Sequence, residues 1–136
     1  MRESKACMHG YYRISCQNNI LFATLKGAWN EDTAHAYCQD FKLEAEALTN
    51  NNWGHLVYLA DWEMGVPGVD KILEPLLFWC IENKLTHAAH VMGASRITKK
   101  YAAKIVQERD PVFTKGVFHD EAEAVSWLAS MGYSPK

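Results

Sequence analysis

The sequence predicts an α/β fold with the element order β-β-α-β-α-β-α-β-α. Three observations carry this. Tyr11–Cys16 and Ile20–Lys26 are rich in β-branched and aromatic residues and flank the polar Gln17-Asn18-Asn19, the pattern of an antiparallel hairpin. After the hairpin, short apolar runs alternate with amphipathic helical patterns, which implies parallel strands joined by right-handed crossovers. The chain has 136 residues and no repeat, low-complexity tract or interdomain linker, so it reads as one domain able to bury roughly two-thirds of its unfolded surface.

Each element has its own signal. Gly27-Ala28-Trp29 leaves the hairpin, and Asn30 is a good N-cap followed by Glu31 and Asp32 at the positive end of the helix dipole. The first helix places Ala34, Tyr37, Cys38, Phe41, Ala45 and Leu48 on one face, and Asn50-Asn51-Asn52 ends it. His55–Asp61 is a nearly continuous apolar run, typical of a strand covered on both faces. An initial turn at Asp70–Leu73 precedes a second helix expected from Pro75 to Asn83, because proline suits the first helical turn. This helix is expected to bury Leu76, Leu77 and Cys80. His87–Ala94 is the next strand, and Ser95 caps a third helix with Ile97, Tyr101, Ala102 and Ile105 inward, stopped at Asp110-Pro111. Gly116–His119 is the last strand. Asp120 and Glu123 form a capping box for a final helix burying Ala124, Val125, Leu128 and Met131, with Gly132 as C-cap.

Composition narrows the function classes. A net charge of −2 gives no global attraction to nucleic acid or to an anionic membrane. No apolar run reaches the length of a membrane span, and the first residues, Met1–Cys7, read neither as a signal peptide nor as a lipoprotein signal. A cytoplasmic location without integral membrane association is expected. Cys7, Cys16, Cys38 and Cys80 show no C-x-x-C spacing, so four free thiols are expected.

Catalytic and metal motifs are not found. G-x-S-x-G, P-loop, G-x-G-x-x-G and H-E-x-x-H patterns are all missing. His87 and His90 are the closest histidine pair, but a spacing of three on a strand points them to opposite faces, and scattered histidines do not make a metal site. No catalytic residue, cofactor or metal is assigned. Asp61 and Glu63 lack a nucleophile, base or metal set beside them. Ser95 reads as a helix cap, with a nucleophile turn as the alternative. Arg96, Lys100 and Lys104 form one stripe. This stripe is either a solvated face or, with Ser95, Arg96 and Lys100 near free backbone N–H groups, an anion site.

The most informative segment is Leu59–Pro67, which follows a buried strand and leads into a helix, where α/β folds place binding loops. It carries Asp61, Trp62, Glu63, Met64 and Pro67, and the chain has no serine or threonine from Asn50 to Leu85. Trp29 and Trp62 each follow a strand and are expected at the same sheet edge. Together with Trp79 they either plug the end of the core or form a shared apolar surface.

Gly27-Ala28-Trp29-Asn30, Asp61-Trp62-Glu63, Leu85-Thr86-His87, Ala89-His90-Val91 and Phe118–Ala124 with Trp127-Leu128 resemble the SpoIIAA-like family, small bacterial proteins related to STAS domains and, more distantly, to Sec14 domains. The resemblance covers about residues 9–133. It implies a mixed five-stranded sheet packed with four helices. It also implies a loop that, in STAS anti-anti-sigma proteins, carries a phosphorylated serine. Here Trp62–Glu74 has no hydroxyl, so that switch does not carry over.

The expected function is therefore a non-enzymatic regulatory or protein-interaction domain. Its contact surface would comprise Trp29, Asp61, Trp62, Glu63, Met64, Pro67 and Trp79, with a weak homodimer through the loop and second helix. The alternative is a carrier or sensor of an apolar or amphipathic small molecule.

Overall fold

In the computed structural model, residues 1–4, 10–63, 68–93, 108–109 and 112–136 are described. The strands are β1 (Arg2–Glu3), β2 (Tyr11–Gln17), β3 (Ile20–Ala28), β4 (Trp53–Tyr58), β5 (Trp62–Glu63), β6 (Leu85–Val91), β7 (Glu108–Arg109) and β8 (Thr114–Phe118). The described α-helices are α1 (Glu31–Ala45), α2 (Gly68–Glu82) and α3 (Glu121–Ser130), with a 3₁₀ turn at Glu46–Leu48. Seven strands form one mixed sheet in the order β1-β2-β3-β4-β6-β8-β7, and β5 pairs with the end of β3.

The α/β class and the hairpin followed by parallel strands are present. β2 and β3 pair antiparallel, while β3–β4, β4–β6 and β6–β8 are parallel. The five-strand, four-helix description needs correction. The five expected strands are joined by the two-residue strands β1, β5 and β7, too short to show any alternation in sequence. Among the described residues there are three α-helices. The third expected helix falls mostly outside those residues, and its last expected turn, Glu108–Arg109, pairs antiparallel with β8 instead.

Local chemistry explains most boundaries. Asn18 adopts φ 55° in the hairpin turn, a left-handed conformation that asparagine tolerates. Asn30 caps α1 by accepting from the Thr33 N–H at 2.9 Å, and Asp120 caps α3 by accepting from the Glu123 N–H at 2.9 Å. Gly132 follows α3 with φ 96°, the left-handed position that glycine fills without a Cβ penalty. α2 begins seven residues before Pro75, so the proline lies inside the helix. There it removes one backbone hydrogen bond, but Val69, Ile72, Leu73, Leu76 and Cys80 keep an apolar stripe on the core throughout the segment. Burial of that stripe outweighs the local preference of proline for a helix start. Two further corrections concern side chains: Leu77 is 42% exposed on α2, and Met131 is exposed where α3 ends.

The core has two layers. α1 and α2 cover one face of the sheet over Tyr12, Ile14, Leu21, Leu25, Trp53 and Val57. α3 covers the other face over Ile20, Phe22, Leu56, Ala89 and Val91. β4 is thus buried on both faces, as its apolar run implied. Tyr133 packs on the α3 side against the strand starts: a Cβ on Gly54 would sit 3.1 Å from its ring. Asn19 ties the C-terminal segment there, with Nδ2 donating to the Gly132 carbonyl and Oδ1 accepting from the Ser134 N–H.

Candidate functional site: a cavity between α2 and the sheet

An open cavity of about 460 Å³ lies between α2 and the α1/α2 face of the sheet. Strand periodicity builds its floor. Alternate residues of a strand share a face, so His55 and Val57 follow one another along β4, with Leu59 just past its end, and Ala88 and His90 along β6. Register aligns them further: Leu21 pairs with His55, His55 with Ala88, and Ala88 with Lys115. One row across the sheet therefore reads Leu21, His55, Ala88, Lys115, with the small Ala88 side chain at its centre. The next row places Val57 beside His90.

α2 supplies a wall. Val69 and Ile72 of its stripe serve the core, while Leu73, Leu76 and Cys80 of the same stripe also line the cavity, together with Asp70, Glu74 and Leu77. Tyr37 and Phe41 of α1 close one side, and Trp62 and Phe113 also line it. The lining is predominantly apolar, with His55, His90 and Lys115 contributed by the sheet and two acids by α2.

The histidines are held neutral. His55 is 9% exposed. Its Nδ1 lies 2.8 Å from the Leu21 carbonyl oxygen, and its ring meets Phe41 edge-on at 5.2 Å. Burial pushes its pKa down to about 4, against the hydrogen bond to the carbonyl, which favours the charged form. His90 is pushed down to about 3, first by burial, then by the positive charge of Lys115 and by His55. His87 faces the opposite side, against Trp127 and Tyr133, as the three-residue spacing predicted.

The sequence-predicted residues are distributed around this cavity. Trp29 is 1% exposed and lies in an aromatic cluster with Tyr12, Tyr37 and Trp62, at centroid distances of 5.9, 5.1 and 5.6 Å. Its Nε1 donates to the Lys26 carbonyl. Gly10 makes this packing possible: it has φ 113°, and a Cβ there would fall 2.2 Å from Trp29 Cδ1. The pairing of Trp62 with Gly27 in β5 brings the two indoles together at one sheet edge. Trp62, half-buried, lines the cavity, whereas Trp29 sits behind it. Trp79 lies beneath the Lys42 ammonium, 5.7 Å from its ring centroid, and does not line the cavity. Asp61 and Glu63 are exposed; Asp61 borders a smaller groove beside Thr24, Lys26 and Tyr58. Met64 and Pro67, and the anion-site residues Ser95, Arg96 and Lys100, lie outside the described residues.

Compared with protein-family models, curated proteins and solved structures, the chain finds no match in any of the three. Its own geometry carries the functional argument.

The sequence reads His55 and His90 only as scattered histidines, and Lys115 carries no motif that singles it out. The available signal was parity: His55 has the same strand phase as Val57 and Leu59, and His90 the same phase as Ala88. Of the cysteines, Cys16, Cys38 and Cys80 are free thiols, and Cys7 lies outside the described residues. Burial pushes the Cys80 thiol up to about 12, which makes it a poor nucleophile at neutral pH. No group of three metal-binding side chains occurs among the described residues, and no described helix is long and apolar enough to cross a membrane.

Proposed function

We propose that this protein is a carrier or sensor of an apolar or amphipathic small molecule, held between α2 and the sheet. The observation supporting this reading is the cavity of about 460 Å³. Pockets for small ligands span about 300–1,000 Å³ and combine apolar walls with a few polar groups that orient the ligand. His55, His90 and Lys115 are such groups. In this reading, the SpoIIAA-like resemblance implies a STAS-related scaffold without a serine switch in its loop, its regulatory input being the ligand. Native mass spectrometry of protein purified from its own host tests the proposal. The expected result is a discrete added mass that disappears on denaturation. The bare chain mass, with failure to take up an added naphthalene probe, contradicts it.

A second reading is favoured by a separate observation: Leu77 and Phe78 of α2 are 42% and 56% exposed. Adjacent exposed apolar side chains suit a protein contact, either with a second copy or with a different partner. Sedimentation at about 100 μM, where even weak contacts are populated, tests the homodimer. A monomer there leaves α2 to another partner or to ligand entry.

A further inference from the structure

The polar side chain set deepest in the cavity floor restricts what the ligand can offer it. His55 Nδ1 sits 2.8 Å from the Leu21 carbonyl oxygen. A carbonyl oxygen only accepts, so Nδ1 carries the proton and donates. In the neutral ring, Nε2 then holds a lone pair. No group among the described residues is seen donating to it, and His55 lines the cavity beside the small Ala88, its partner in the strand register. Burial supports the neutral ring by penalising imidazolium. Lys115, in the same cross-sheet row beyond Ala88, contributes only donors.

Resting on the small-molecule reading above, we infer that the ligand's polar group is a neutral hydroxyl, an alcohol or phenol on an apolar body, that donates to His55 Nε2. A hydroxyl both donates and accepts, so it satisfies His55 and leaves an oxygen lone pair towards Lys115. An ionised carboxylate only accepts and meets the His55 lone pair with no proton to share. An ammonium donates but brings a second positive charge towards Lys115. His90 adds another neutral ring on the same floor, and Asp70 and Glu74 stand on the α2 wall. The volume sets the size. A cavity of about 150 Å³ holds benzene, so this one accommodates a body of roughly two to three fused rings, or a chain of similar bulk.

The test is equilibrium dialysis of the intact protein with 1-naphthol, 1-methylnaphthalene and 1-naphthoate, which share one ring system and differ at one position. The expected order places 1-naphthol about three- to tenfold tighter than 1-methylnaphthalene, the effect of one buried hydrogen bond, and 1-naphthoate weakest. The naphthol preference should disappear in His55→Phe. Should that variant not fold, nitrogen NMR of the wild type decides: the His55 Nε2 resonance should move with 1-naphthol and not with 1-methylnaphthalene. Equal binding of the three probes, or 1-naphthoate binding best, overturns the hydroxyl assignment and leaves the cavity reading standing. Binding of none overturns the cavity reading, and this inference with it.

Discussion

Acidification from pH 7 to pH 5 should destabilise the protein through its buried histidines. An unfolded histidine has a pKa near 6.5, while folded His55 is pushed down to about 4 and His90 to about 3. The unfolded chain therefore binds more protons than the folded one between these values. Stability is then fully present above pH 6.5, falls as pH drops, and continues to fall until the folded-state pKa values are passed. His55 and His90 each cost about 2 kcal/mol between pH 7 and pH 5 by this linkage, and His87, lowered by burial, adds a loss of the same sign. With a urea m-value of about 2 kcal/mol/M, each of the first two lowers the midpoint by about 1 M. Urea unfolding at pH 7, 6 and 5, followed by tryptophan fluorescence, measures this. His55→Phe removes one titrating group while keeping an aromatic ring against Phe41, so the pH dependence should shrink by roughly 1 M. A midpoint unchanged between pH 7 and pH 5 would show that the folded histidines accept protons freely and that the cavity floor does not hold them neutral.

Four further outcomes follow from the packing. Trp29→Ala should cost about 3–5 kcal/mol, as for a buried aromatic, and more than Trp62→Ala. Equal urea midpoints would place Trp62 in the core on the same footing. Gly10→Ala should lose at least about 1–3 kcal/mol, from the positive φ compounded by the 2.2 Å approach to Trp29 Cδ1; a melting temperature unchanged from wild type would contradict that packing. Ala88→Leu should fill the floor of the cavity and abolish uptake of 1-methylnaphthalene, with a circular dichroism spectrum like that of wild type and a loss of stability of no more than about 1–3 kcal/mol, Ala88 being buried. Retained uptake would place the probe elsewhere. If α2 mediates self-association, Phe78→Glu should convert a sedimenting dimer to monomer while leaving the circular dichroism spectrum unchanged; an unaffected dimer would exclude the Phe78 face.

The fold was legible wherever a residue's role was set by its immediate neighbours. Asn30 and Asp120 cap helices as their types and spacings implied, the Asn18 turn closes the hairpin, and His87 and His90 face opposite sides of β6. Pro75 was misleading because its local preference for a helix start competes with an apolar stripe extending from Val69 to Cys80, and tertiary burial prevailed. Leu77 is apolar, but its angular position on α2 places it at the cavity rim instead of in the core. The site itself was only partly legible. The shared edge of Trp29 and Trp62 could be read from each following a strand. The row Leu21–His55–Ala88–Lys115 could not, because it depends on the register of three parallel pairings, and register is a property of the assembled sheet.

The central claim is that the space between α2 and the sheet takes up an apolar molecule. The most direct measurement is a two-dimensional amide NMR titration with 1-methylnaphthalene, a probe without a polar group. The expected result is saturable 1:1 binding, with the largest shifts at Val57, Leu59, Leu77 and Ala88, and their loss in Ala88→Leu. Shifts confined to the outer face of α2 around Phe78, or none up to the solubility of the probe, would contradict the claim.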